Sequence, residues 1–424
     1  MKSKSLVYVI LYLMIYIGFV QKYIFNNQFM SLLPDLLIFY LAFVSFRRRN
    51  FVLKRKFVSV VGKPLYIVYA LLVISSVIGA LLNFANIVSF IWGLRVLIRY
   101  PLLVWIVYKN FENSDFCKYK QILYTGFGVN IFCCIFQFFR GDVGDLMAGT
   151  FTGNDSLMLY AFIVFIISSA DRLCKMISMN KYMLIVFGAM LIAIWAEIKM
   201  IYFLFPLAFY AVYVFVKRFN FKLIVLLFLG FMFLIPTMKF FMSFYYGQKY
   251  VEQTFNTEFI VEETTHTYGF QEGGFNRSTA IEKADAVLLD TPQKKFFGNG
   301  LGSGSISSFF GTGYSVLFDY TMFWNFSTSY CLAEMGWVGF ILYCLFFLFI
   351  IIRFFFIYRE TKDPVIKYWA SIGIVSGLFT FILAWYNDNV YYKYLPMYFL
   401  WGICLAAIEC QKRNLFFSFK SKQK

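Results

Sequence analysis

Charge is scarce in this sequence. Only 14% of its 424 residues are Asp, Glu, Lys or Arg, while 61% are hydrophobic. The alternating ten-residue segments of a lipid-facing barrel are missing, which excludes a transmembrane β fold. Internal repeats, low-complexity segments and separable soluble domains are also missing, so residues 1–424 read as a single transmembrane domain. Eight cysteines are present, but seven (Cys117, Cys133, Cys134, Cys174, Cys344, Cys404 and Cys410) fall in apolar runs or in the basic segments between them, and Cys331 opens a run. None lies inside the long polar stretch 243–327, which therefore has no disulfide framework and must be ordered by packing. The adjacent Cys133 and Cys134 read as small apolar packing residues rather than a metal or redox pair.

What the chain does have is apolar runs of about 17–25 residues, the length that crosses hydrocarbon as a helix. Helices are required because they satisfy their own backbone groups in lipid. The runs fall at 5–20, 29–46, 64–82, 87–108, 122–138, 154–170, 182–197, 200–216, 223–242, 328–352, 368–386 and 394–410. The expected fold class is thus an all-α polytopic membrane protein with about 12 transmembrane helices. The first run follows Met-Lys-Ser-Lys without a small-residue cleavage site and reads as a retained anchor.

A net charge of +17 suggests nucleic acid until its distribution is read. With the N-terminus inside, 27 of the 39 Lys and Arg fall in cytoplasmic segments, among them Arg47, Arg48, Arg49, Lys54, Arg55 and Lys56. That is the positive-inside bias, and it needs no polyanionic partner. Both termini are expected in the cytoplasm, with one large outer loop, about 243–327, between spans nine and ten.

Charges inside spans are the first places to look for function, because each costs about 2.5–3.5 kcal/mol near mid-bilayer. Arg95 and Arg99, in GLRVLIRYPLL, share one helical face, and Pro101 follows to bend the helix. They read either as an anion site or as a structural pair with Asp35 of span two. Glu197 and Lys199, in WAEIKMIYF, sit where spans seven and eight meet at the outer surface, so Lys199 either clamps a phosphate or snorkels to water.

Between spans five and six, FFRGDVGDLMAGTFTGNDSLML carries Arg140, two glycines (Gly149 and Gly153) able to admit a ligand to the backbone, and Asn154, expected to cap span six. The outer loop carries nine acids against five Lys or Arg. In its later half Thr279 and Glu282 form a capping-box pattern. Ala280, Ile281, Ala284, Val287 and Leu288 repeat at helical spacing until Pro292. Arg277 precedes this helix, and FFGNGLGSGS follows it with Gly298, Gly300, Gly302 and Gly304. No Lys-Ser/Thr follows these glycines, which argues against a nucleotide loop. His266 reads as a solvated histidine and Glu262-Glu263 as a solvated acidic face, and no metal or other cofactor is expected. Glu334, in SYCLAEMGWVGF, reads either as an acid favoured by a helix start or as a functional carboxylate.

Taken in order, GTFTGN before a span, a cation after WAEIK, an Arg opening a loop helix, PxxxFFGNGLGSG and LAEMGWVGF resemble the bacterial O-antigen polymerase (Wzy) and O-antigen ligase superfamily. The resemblance covers most of the chain. Where the family has Ser-Arg after the middle span, this sequence has Ile198-Lys199, which keeps charge and loses bidentate geometry. The ligase histidine would fall on Asn325, which counts against ligase.

The resemblance implies a GT-C-like, metal-independent glycosyltransferase of the bacterial cytoplasmic (inner) membrane, working on the periplasmic or outer side. Its expected partners are an undecaprenyl diphosphate-linked oligosaccharide donor and acceptor, membrane lipids, and a chain-length regulator and flippase of the same pathway. The product is O antigen, capsule or exopolysaccharide. Such a reaction needs cations on the diphosphate, assigned to Arg277 and Lys199 with Arg95, Arg99 and Arg140 in reserve. It also needs a carboxylate at the acceptor, Glu334 or Glu197, with Asn154, Gly298 and Gly300 in the substrate loops. A ligase, and a lipid-linked sugar flippase using the span-four cations, are the alternative readings.

Overall fold

The computed structural model describes residues 3–47, 61–217, 274–305 and 312–421, with scattered positions between 221 and 252. These residues are all-helical, with no strand among them. The first half forms α1 (Ser3–Phe19), α2 (Leu33–Arg47), α3 (Lys63–Leu82), α4 (Ile87–Asn110), α5 (Asn113–Phe139), α6 (Asn154–Leu173), α7 (Met179–Trp195) and α8 (Met200–Lys217). The outer loop contributes the short helices α9 (Ala280–Lys283), α10 (Pro292–Phe297) and α11 (Gly313–Leu317). The chain then closes with α12 (Ser327–Glu360), α13 (Pro364–Tyr386), α14 (Asn389–Tyr392) and α15 (Leu395–Ser421).

Among the described residues eight helices are long and apolar enough to cross a membrane, as a polytopic membrane protein requires, and Phe29–Ser45 and Met179–Trp195 are apolar but shorter. A helix stands at each expected span except the ninth, most of which lies outside the described residues. Three helices exceed expectation, and one of them, α15, runs on to Ser421. The α5 helix begins at Asn113 because Glu112 and Asp115 cap each other reciprocally, and α12 runs for 34 residues. Apolar runs reveal only the part of a helix that lies in lipid, so polar extensions of this kind escape them.

The centre of the bundle is α6, whose apolar window is 89% buried, with α13 at 72% and α15, buried throughout residues 397–408, beside it. Leu81, Phe84, Ile87 and Phe132 project outward, as lipid-facing side chains do. At the end of the bundle farther from the Gly-rich turn two buried carboxylates tie helices together. Asp115 takes the Lys4 ammonium at 2.8 Å and the Tyr8 hydroxyl at 2.7 Å. Asp171 takes Lys120 at 2.7 Å, Tyr124 at 2.7 Å and Tyr368 at 2.6 Å. Each closes a joint between distant helices with every partner in place.

Candidate functional site

The site is built on a break in α12. Gly336, at φ 63°, leaves the helical region and interrupts the ladder of carbonyls. The carbonyls of Ala333 and Glu334 then turn to the Gly-rich segment, accepting from Asn299 N at 2.9 Å and Gly300 N at 3.2 Å. Approach this close needs glycine on both sides. A Cβ on Gly336 would lie 2.4 Å from Gly298 N, and one on Gly298 would lie 2.4 Å from the Glu334 carbonyl. On its other flank the segment fits α3 and α4, where a Cβ on Gly302 would strike the Ser89 carbonyl at 1.8 Å. The FFGNGLGSG sequence is thus a backbone plug wedged between three helices.

The plug encloses Glu334, which has no solvent exposure. Its carboxylate accepts from Gly304 N at 3.1 Å and from the Tyr391 hydroxyl at 2.7 Å. Glu334 lies just above the helix break and not in the first turn of the helix, so backbone N–H and phenol donors hold it rather than the helix start. Burial, reinforced by the Glu334 charge, raises the Tyr391 hydroxyl well above the usual tyrosine range, so Tyr391 remains the donor.

Tyr391 belongs to the segment Asn387–Lys393, which links every part of the site. Tyr392 shares its hydroxyl with Ser305 and Tyr330, each at 2.9 Å, and its carbonyl accepts from Arg99 Nη2. Arg99 Nη1 donates to both Asp35 oxygens at 2.9 and 2.7 Å, and Arg95 Nη1 reaches the same carboxylate at 2.8 Å. The Arg95 guanidinium also lies 3.7 Å over the Trp92 ring. Two guanidiniums therefore share one carboxylate, and the buried Nε of each has no hydrogen-bond partner. The pairing with Asp35 is realised, and one positive charge is left over within it.

The same segment reaches α6, where Asp155 accepts from Asn387 Nδ2 at 2.8 Å and its carbonyl from Asn389 Nδ2 at 2.7 Å. Lys393 pairs with Asp388 at 2.9 Å. Burial alone would lower the Lys393 pKa, but the Asp388 and Asp155 charges outweigh it and raise it. Arg277 stands over the adjacent end of α13, its guanidinium 4.6 Å from the Tyr386 ring centroid and its Nε donating to the Tyr386 carbonyl at 3.3 Å. The structure thus gathers Arg95, Arg99, Arg277, Glu334, Gly298 and Gly300 around one connection.

Glu197, Lys199, Arg140 and Asn154 stand on the flanking loops. Glu197 has a left-handed backbone, φ 51°, and its carboxyl carbon would lie 3.4 Å from a Cβ on Gly144. Lys199 N donates to the Glu197 carbonyl at 2.9 Å. Arg140 lies 3.9 Å from Asp142 and covers the Tyr23 ring at 5.2 Å.

Three local expectations are corrected. Asn154 does not cap its helix: it is the first helical residue, after Gly153, and donates to Asp145 at 2.6 Å. Gly149 offers no room to a ligand, since a Cβ there would meet Asn130 Oδ1 at 2.5 Å. Asn130 and Gln137 hold this turn against the bundle through the amides of Thr150 and Gly149. Thr279 makes no capping bond; Asn276 accepts from Thr279 N at 2.7 Å instead. Ala280, Ala284 and Leu288 are buried as the spacing implied, but the helix widens into a π-type turn after Lys283, and Pro292 opens α10. His266, Glu262 and Glu263 lie outside the described residues.

The sequence reading missed Asn387–Lys393 altogether, taking it for a simple connection between spans. Its density of side-chain amides and tyrosines, NDNVYYK, was the available signal. Among the described residues no group of three or more His, Cys, Asp or Glu is arranged to hold a metal ion. The chain matches no known protein family, and no curated protein is significantly similar to it.

Proposed function

We propose that this chain is a bacterial inner-membrane polysaccharide polymerase. It crosses the bilayer twelve times with both termini cytoplasmic, in a GT-C-like arrangement, and transfers glycan from an undecaprenyl diphosphate-linked donor to another lipid-linked repeat unit outside the cytoplasm. The observation that carries this reading is the surplus guanidinium on Asp35, joined through Tyr391 and Tyr392 to the enclosed carboxylate of Glu334. In the reaction the acceptor oxygen bonds to the anomeric carbon, and the bond from that carbon to the diphosphate oxygen breaks. The acceptor proton passes to a carboxylate, and the lipid diphosphate leaves with its charge held by arginine. Arg95, Arg99 and Arg277 suit the leaving group, with Lys199 and Arg140 on its flank. Glu334 suits the acceptor. Because Gly304 and Tyr391 enclose it, its contact with a hydroxyl requires the Gly-rich plug to withdraw.

The test is the surface polysaccharide ladder of a deletion strain complemented with wild type or Arg277→Ala. Polymerase activity predicts single repeat units at the surface and loss of long chains in the variant. Unchanged chain length in well-expressed variant protein contradicts it. Loss of every surface-attached unit with accumulation of lipid-linked polymer points to ligation instead.

A further inference from the structure

The segment Asn387–Lys393 has two flanks of opposite character. On one, the Tyr392 carbonyl takes Arg99, and the guanidiniums around Asp35 leave donors to spare. The other flank faces the start of α6 and has acceptors to spare. Asp155, in the first turn of α6, gives one carboxylate oxygen to Asn387 Nδ2 at 2.8 Å, and its second oxygen receives no hydrogen bond from the described residues. Asp388 holds Lys393 with both oxygens, at 3.2 and 2.9 Å. Asp145 is tied to the same helix start by Asn154 Nδ2 at 2.6 Å. Among the described residues these three carboxylates are matched here by one ammonium, because Arg277 is turned to the Tyr386 carbonyl and ring.

A further acceptor stands inside. Asn389 is fully buried, and its Nδ2 donates to the Asp155 carbonyl at 2.7 Å, so its amide lies against Asp155 while its Oδ1 is left buried without a partner. Such an oxygen calls for a donor from outside the fold. The approach is open: Asp155 is half-buried, and a Cβ on Gly153 would meet nothing within 4 Å among the described residues. The carboxylates do not converge as ligands of a metal ion among the described residues, which leaves hydroxyl groups as the donors that fit. Phosphate oxygens only accept hydrogen bonds, whereas sugar hydroxyls also donate. Surplus donors on one flank and surplus acceptors on the other therefore match the two halves of a sugar diphosphate. The excess negative charge beside Asp155 also repels a sugar that carries its own carboxylate.

We propose that Asp155, with Asp388 and Asn389, forms a carbohydrate subsite that takes the hydroxyls of a neutral sugar and rejects a uronic acid. The proposal rests on the glycosyl-transfer reading above and adds to it the class of sugar handled. The hydroxyls belong either to the sugar on the lipid diphosphate or to the terminal sugar of the acceptor, and their chemistry is the same in both.

Binding is measured on full-length wild type and Asp155→Asn in detergent. Asparagine keeps an oxygen for Asn387 and sets an NH2 donor where the unpaired carboxylate oxygen stands, and a thermal midpoint near wild type shows that the variant is folded. The probes are a polyprenyl diphosphate, the same lipid carrying glucose, and the lipid-free repeat unit released from the glycolipid of the deletion strain. The two sugar probes are also made with their primary hydroxyls oxidised to carboxylates. If the donor supplies the hydroxyls, wild type holds the glucose lipid about tenfold tighter than the sugar-free lipid, and Asp155→Asn holds the two alike. If the acceptor supplies them, the repeat unit instead loses about tenfold affinity in the variant. Oxidation of whichever probe responds is expected to remove the same tenfold on wild type. Sugar probes indifferent to Asp155→Asn, or an equal loss for the sugar-free lipid, overturn the subsite, and oxidation without effect overturns its preference for a neutral sugar. Binding needs no turnover. Sugar-dependent binding by a protein that extends no chain refutes the polymerase reading alone, and chain extension with binding indifferent to Asp155 refutes the subsite alone.

Discussion

Asp115 and Asp171, at one end of the bundle, each receive one lysine and at least one tyrosine hydroxyl. At the other end Asp35 is divided between two arginines, Glu334 is met by a phenol and a backbone N–H, and Ser303 Oγ and Asn389 Oδ1 are buried without partners. Both ends bury charge at similar depth, so burial does not separate structure from function here. Completeness does. A carboxylate with all its partners is a joint between helices, whereas surplus donors kept out of water are costly unless something binds them.

This contrast breaks if the two ends respond alike to mutation. Asp171→Ala strands Lys120 and is expected to cost about 3–5 kcal/mol of stability, seen as a lower thermal midpoint in detergent, with activity per folded molecule unchanged. Arg95→Ala leaves Arg99 on Asp35, so its midpoint should stay near wild type while polymerisation falls about 10²–10³-fold. Equal destabilisation by the two substitutions would erase the distinction. Glu334→Gln keeps one oxygen for Gly304 N and turns its NH2 to the Tyr391 hydroxyl, which then accepts instead of donating, and a fall of about 10²-fold in rate with folding retained is expected of a proton acceptor. An unchanged rate would leave Glu334 as an anchor for the Gly-rich plug.

The smallest effect concerns how the outer loop is held on α12. Asp285 accepts from Lys295 at 2.8 Å and from Trp337 Nε1 at 2.7 Å, and these bonds lower its pKa. The stability they add is full above the unfolded aspartate value of about 3.9 and is lost as pH falls through the lower folded value. Trp337 emission should therefore hold at pH 5 and change below about pH 4. In Asp285→Asn this acid transition should be absent, and its persistence would place the transition elsewhere.

Much of the bundle was legible because hydropathy marks segments that lie in lipid, and α1, α3, α4, α6 and α13 stand close to where the runs place them. Arg95, Arg99 and Asp35 were legible for the related reason that charge in a span demands a partner. What escaped depends on backbone departures that no period records. The break at Gly336 frees the Ala333 and Glu334 carbonyls for the Gly-rich plug that covers Glu334, and α14 turns an apparent connection into the hub of the site. Asn130 and Gln137 were similarly silent: polar residues on an otherwise apolar helix, they spend their amides holding the Gly149–Thr150 turn.

The central claim is that the incomplete end of the bundle transfers glycan from a lipid diphosphate. The most direct measurement is extension of an undecaprenyl diphosphate-linked repeat unit by purified protein in detergent, where no membrane sides exist and no nucleotide sugar is supplied. The account predicts a ladder of longer lipid-linked products from wild type and from the folded fraction of Asp171→Ala, and none from Arg95→Ala. No extension by active-folded wild type, or an undiminished ladder from Arg95→Ala, would contradict it.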